Sequence, residues 1–282
     1  MLSKEEHVEQ AYFFRMLLER LRLNIPLQEL LAQTKHELLA TTRLPMAVDL
    51  LLTELKHSGQ MSPGMKLLSH YFAPYQTYLM IEAENDRGKF DYRTALRILQ
   101  SEAEYRSREP NRQGLFFFQF EAISRNRLNY DRGLLAMSQD PLYDRDWAEW
   151  ILILRRQLGF IDVADMIYVR SQHYQDKRTR EGDIVPEAPV LFGVHEGKIA
   201  QANHQKDPLF LFAAMQRHLG YPEVPKLEAI DPLPTLIPQL LRRMERLEAR
   251  IKLMEEEQRD GLDITKFFSG KSPLPPDDLE LS

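Results

Sequence analysis

Cysteine is absent from the 282 residues. That excludes disulfide staples, thiolate metal sites and a cysteine nucleophile together, and it agrees with a reducing compartment. Long apolar runs are also missing. The longest, Leu209-Phe210-Leu211-Phe212-Ala213-Ala214-Met215, falls far short of the roughly 20 residues that cross a bilayer. The segment MLSKEEHVEQ lacks the basic-then-apolar order of a secretory signal. There is no excess of positive charge either: the net charge is -5 and the isoelectric point is near 6.0, so nucleic acid is not an expected partner. Arginines do gather between Arg87 and Arg132, but Asp86, Asp91, Glu102, Glu104, Glu109, Glu121 and Asp131 are interleaved with them. Such a mixture is expected on solvated helical faces. The expectation is a cytoplasmic protein with no transmembrane segment.

What is present is an ordinary globular composition, 43% hydrophobic and 28% charged, with enough chain for a sizeable core. Helical periodicity dominates. Ser3 and Glu6 stand at capping-box spacing ahead of Phe14, Leu17, Leu18 and Leu21 on one face. A second helix carries Leu27, Leu30, Leu31, Thr34 and Leu38. A third carries Val48, Leu51, Leu52 and Leu55 and stops at Gly59, where a left-handed residue costs little. Ser62-Pro63 opens a fourth as N-cap and first-turn proline. Pro74 interrupts it, and two more helices are expected over about 75–85 and 92–108. Glu109-Pro110-Asn111 marks a boundary, because proline turns its predecessor away from helix.

Helices are expected next at 115–127, 130–138, 145–158 and 161–174. Residues 190–203, with glycine in the middle, predict a small β-hairpin. Asp207-Pro208 then caps a helix over 209–219 that is apolar nearly all round and therefore expected to be buried. In residues 235–259, Ile237, Met244 and Ile251 recur every seven residues, as do Leu240, Leu247 and Met254. With these at the a and d positions, Arg243 and Arg250 fall at g, and Glu248 and Glu255 at the following e positions. That order favours a parallel two-stranded coiled coil and hence a homodimer. The fold expected is mainly α: a helical bundle over 1–109, helical hairpins over 110–182, the hairpin and a buried helix over 183–230, the coiled-coil helix over 235–259 and an acidic tail over 260–282.

The segment FFRMLLERLRLNIPLQELL, residues 13–31, resembles the signature of the F-type inner-membrane platform proteins of type II secretion and type IV pilus machines. In that family an aromatic–arginine helix meets a Gly-Ile/Leu-Pro-Leu turn and a second helix follows at once; Asn24 stands at the glycine position here. Further matches follow in order: Gly59 and Ser62, Phe72 and Pro74, Met80 to Glu84 with Gly88 to Asp91, then Leu96, Leu99 and Tyr105. They cover residues 10–108. The resemblance implies an autonomous bundle of about six helices and protein partners of a secretion or pilus-type assembly. It departs from the family at Ala83, in the extra residue between Glu84 and Gly88, and in having no transmembrane helix after the domain.

Candidate chemistry is sparse. Glu54 and His57 share a helical face, but a carboxylate-bridged metal centre needs that motif twice. Glu82, Glu84 and Asp86 cluster near a turn without calcium-loop spacing. His195, Glu196, His204 and Asp207 gather around the expected hairpin. No Gly-rich phosphate loop, Gly-x-Ser-x-Gly elbow or His-Glu-x-x-His motif occurs. Phe116, Phe117, Phe118 and Phe120 at helical spacing predict core. No catalytic, cofactor or metal residue is therefore assigned. The expectation is a non-enzymatic assembly or adaptor protein acting through protein contacts and self-association. The alternative is an enzyme with its site around 190–210.

Overall fold

Asparagine, aspartate and serine set most of the helix starts among the described residues. In the computed structural model, which describes residues 2–23, 25–85, 88, 90–182 and 188–226, Ser3, Asp91, Asn111, Asn129, Asp144, Asp162, Ser171 and Asp207 each accept a hydrogen bond from a first-turn amide. Each side chain satisfies a donor that the helix itself cannot. The helices so begun, with five others, are α1 (Lys4–Arg20), α2 (Leu27–Lys35), α3 (Leu44–Ser58), α4 (Ser62–Leu67), α5 (Pro74–Ala83), α6 (Tyr92–Arg106), α7 (Arg112–Arg125), α8 (Tyr130–Ser138), α9 (Arg145–Gln157), α10 (Val163–Val169), α11 (Gln172–Glu181), α12 (Val194–Ala202) and α13 (Pro208–Leu219). Gly59, Gly182 and Gly220 end α3, α11 and α13 in the left-handed conformation. The fourth helix starts one residue earlier than Ser62-Pro63 implies, with Met61 at the cap position.

Helix α1 lies along α6, α2 packs on α3, α5 bridges α6 and α8, α8 pairs with α9, and α13 covers α7. The centre is α7. Leu115, Phe116, Phe117, Phe118 and Ile123 are fully buried and Phe120 is nearly so, as its spacing predicts. Phe116 meets Trp150 edge-on at 4.9 Å between ring centroids, and Phe192 sits 5.1 Å from both Trp147 and Trp150. Tilted and edge-on pairs of this kind add about 0.5–1.5 kcal/mol each beyond the area they bury.

The chain turns at Glu109, which takes a left-handed φ of 55°. Packing nevertheless continues across the turn: Tyr75 donates to the Gln119 carbonyl at 3.1 Å, and Gln119 donates to Glu102 at 2.7 Å. The described residues fall within one compact unit, Met1–Leu227. The heptad residues Ile237, Leu240, Arg243, Met244, Leu247, Glu248, Arg250, Ile251, Met254 and Glu255 lie outside the described residues, as do Asn24 and Asp86.

The structure corrects four further expectations. The β-hairpin at 190–203 is a helix, α12, preceded by one isolated parallel bridge between Ser171 and Phe192. Gly197 is a packing residue and not a turn residue. A Cβ there would lie 2.6 Å from Ser171 Cβ and 2.7 Å from His173 Cβ, so only glycine lets α12 approach α11 this closely. The bridge also explains the second correction, the division of 161–174 into α10 and α11. Leu191 and Phe192 amides donate to the Arg170 carbonyl, and Gln172 donates to that of Phe192, which holds 170–172 out of helix. Third, α13 is not buried all round: Leu211, Phe212 and Met215 face inward while Phe210 is 64% exposed. Fourth, the charges between 87 and 132 are not all solvated, since Glu102 and Glu121 are buried.

Candidate functional site

Glu102 and Arg106 lie one turn apart on the inner face of α6, a spacing that lets their side chains meet. Arg106 contacts Glu102 at 3.0 Å and also pairs with Asp140 from the turn after α8, one of its contacts there being 3.3 Å. Both carboxylate side chains are fully buried and that of Arg106 is 7% exposed. Gln119 completes the cluster, donating to Glu102 and accepting from Tyr143 at 3.0 Å. Burial alone would discourage the guanidinium charge, but Asp140 and Glu102 outweigh it and push the Arg106 pKa further up. One cation therefore serves two anions. Glu102 Oε2 and Arg106 Nε have no hydrogen-bond partner among the described residues.

Arg106 forms part of the wall of a cavity of about 600 Å³. The N-terminal end of α1 contributes Leu2, Lys4 and His7, and the α4–α5 connection contributes His70, Tyr71, Phe72 and Ala73. The far wall comes from Glu109, Pro110, Pro141 and Leu142. A chain of polar contacts fixes one side of it. Glu6 accepts from Tyr71 at 2.8 Å and from the Arg43 amide at 2.8 Å. Gln10 donates to the Tyr71 carbonyl at 3.1 Å, and Gln76 donates to Gln10 at 3.4 Å while accepting from the Ala73 amide at 3.1 Å. His7 Nδ1 is buried without a hydrogen-bond partner among the described residues, and burial, reinforced by the nearby Arg106 charge and opposed by a hydrogen bond with Gln10, lowers the His7 pKa to about 4. Desolvation and a neighbouring cation act in the same direction on an imidazole.

The residues singled out in the sequence lie elsewhere. Glu84 holds the start of α4, accepting from the Met61 and Ser62 amides, the latter at 3.0 Å. Glu82 is half-buried, and its pKa is raised by desolvation against the opposing pull of Arg132. Among the described residues no third ligand joins Glu54 and His57. The four residues gathered around the expected hairpin do not meet as one site: Glu196 pairs with His218 at 3.0 Å and the His195 ring lies 5.5 Å from that of His218, whereas His204 pairs with Asp165 at 2.6 Å and Asp207 caps α13.

Sequence spacing did not reveal Asp162, Asp165 and His204, whose ligand atoms lie within 4.8 Å of one another. The 39-residue separation of Asp165 and His204 hides the group. Asp162 already accepts from the Ala164 and Gln205 amides, at 3.0 and 2.6 Å, so as built the trio ties the turn after α12 to the start of α10. The Arg106 cluster was equally hidden. Its only local signal is the Glu102–Arg106 spacing, and nothing local points to Asp140.

Comparison with protein-family models, with curated proteins and with solved structures returns no match.

Proposed function

We propose that the chain is a non-enzymatic, cytoplasmic assembly or adaptor protein. Its residues 10–108 resemble the cytoplasmic domain of secretion and pilus platform proteins, and residues 235–259 pair two copies in parallel. One observation carries the scaffold reading: four carboxylates that chemistry could draw on are committed to holding helix ends and turns. Glu84 is on α4, Asp162 on α10 and the Gln205 turn, Glu6 on Arg43, and Asp207 on α13. No helix among the described residues is long and apolar enough to cross a membrane. The partners fitting this reading are the chain itself and proteins of a secretion or pilus-type assembly.

The self-association is tested by sedimentation. Ile237, Leu240, Met244, Leu247, Ile251 and Met254 form the apolar seam, with Arg243 and Arg250 facing Glu248 and Glu255 of the second copy. Each exposed pair contributes only about 0.2–1 kcal/mol, so the seam carries the association and the charges select its orientation. The native chain is expected to sediment as a dimer at tens of micromolar and as a monomer when Leu247 and Ile251 are both changed to Asp. A native monomer at ~10 µM, where a dimer needs only about 7 kcal/mol, overturns the self-association.

A further inference from the structure

We propose that Phe160 and the groove beside it join two copies of this chain, each phenyl ring entering the groove of the other copy. Phe160 is 90% exposed, more than any other large apolar side chain among the described residues. It is held there by its turn. Gly159, at a left-handed φ of 91°, redirects the chain after α9, and the Phe160 and Ile161 amides both donate to the Gln157 carbonyl, at 3.0 and 3.1 Å. A knob fixed before binding loses little freedom when it docks.

The hole lies on the same segments. Trp150 and Ile153 of α9, Ile161 of the turn, and Met166 and Val169 of α10 give an apolar lining to a groove of about 280 Å³. An apolar cavity of about 150 Å³ already holds one benzene ring, so a phenyl side chain fits. Ile161 and Val169 are themselves 42% and 45% exposed, and with Phe160 they make an apolar face of the kind that marks an interaction surface. The far edge of the groove is fixed as well, because the Arg170 carbonyl accepts from the Leu191 and Phe192 amides at 2.9 and 3.2 Å.

Charge identifies the occupant. Residues 155–170 carry Arg155, Arg156 and Arg170 against Asp162 and Asp165. Asp131 takes Arg155 at 2.7 Å, which leaves two charges of each sign. A balanced face meets its own copy without repulsion, whereas a strongly charged partner gains nothing from it. Asp165, which also holds the His204 ring, and Arg170 both line the groove, so a two-fold axis lets unlike charges meet across the contact. Knob and hole on one face are also what a reciprocal contact between identical surfaces requires. This contact does not depend on pairing through residues 235–259. A chain making both has two separate self-contacts and links dimers into larger assemblies.

The experiment uses the full chain carrying Leu247→Asp and Ile251→Asp, so that the heptads contribute nothing. A contact resting on one knob and one hole per copy is small and weak, and a Kd of about 0.5 mM is expected, which leaves this variant largely monomeric at tens of micromolar. Sedimentation equilibrium from about 20 µM to about 1 mM should show the mass rising from monomer toward dimer and no further. Phe160→Asp and Val169→Lys alter exposed side chains, so each should keep the melting temperature while weakening the dimer at least about tenfold. p-Benzoylphenylalanine at position 160 keeps an aromatic knob and, on irradiation, should join residues 150–170 of another copy. In an equal mixture of ¹⁵N-labelled and unlabelled chains, those crosslinked peptides should pair heavy with light. A monomer throughout the range overturns the proposal, and so does a dimer that either variant leaves intact. Crosslinks confined to one chain, crosslinks outside 150–170, or growth past the dimer overturn it equally. None of these outcomes bears on the heptads, whose own test compares the native chain with the same double variant.

Discussion

His7 is the residue on which acid should act first. Free in the unfolded chain, it binds a proton below about 6.5; folded, it does so only near 4. Between those values the unfolded chain holds more protons, so stability falls as the pH drops from 6.5 toward 4 and this contribution levels off below. The loss should be roughly 2–3 kcal/mol, discounted for the partial exposure of the ring. Urea melts at pH 7 and pH 4.5 should show it, and His7→Gln should flatten the difference relative to the native chain; an unchanged slope sinks the assignment. The Arg106 cluster makes a second claim about single residues. Replacing Arg106 by Met leaves the Glu102 and Asp140 carboxylates buried together without a cation, which should cost about 3–5 kcal/mol. Asp140→Asn leaves one cation with one anion and should cost less, about 1–3 kcal/mol. If the order of the two midpoints is reversed, the excess negative charge is not what the arginine offsets.

At the scale of helices, local signals were legible and long-range ones were not. The cap residues Ser3 and Asp207, the stop at Gly59 and the apolar stripe of α7 act within a few positions and do in the fold what was expected of them, although the Glu6 carboxylate turns to Arg43 and Tyr71 and leaves the capping box half made. The failures share a cause: the deciding partner is distant in sequence. Gly197 looks like a turn glycine until Ser171 is placed against it, and 161–174 looks continuous until Phe192 pairs with 170–172. Of the candidate pocket, the sequence offered only the Glu102–Arg106 spacing, because His7, His70 and Asp140 come from three other parts of the chain. The α11–α12 contact yields a test. Gly197→Ala should gain about 1 kcal/mol of helix propensity, but the clash with Ser171 and His173 should cost more, about 1–3 kcal/mol. A net loss in urea melts is expected. A net gain would mean that the two helices do not approach this closely.

For the molecule as a whole, the question is where a self-sufficient core ends. A resemblance confined to residues 10–108 implies that the first six helices fold alone. Here those helices are completed from outside. Tyr75 is fully buried with its hydroxyl on the Gln119 carbonyl, and Tyr78 donates to the Asn129 carbonyl at 2.8 Å. Arg106 depends on Asp140, and Glu102 on Gln119. Ending the chain at residue 110 removes all four contacts and uncovers the faces of α5 and α6 that α7 and α8 protect. Uncovering a large buried side chain forfeits about 1.5–3 kcal/mol. The unmatched carboxylate of Glu102 adds to that, so only a few such losses equal the entire stability of an ordinary domain, about 5–15 kcal/mol. A fragment of residues 1–110 is therefore expected to melt broadly in urea, with poorly dispersed amide resonances. A fragment of residues 1–226 keeps every one of these contacts and should unfold in a single cooperative step. A sharp transition and a dispersed spectrum from 1–110 would reverse the conclusion: the platform-like bundle would then be a domain in its own right, and α7 to α13 an addition to it.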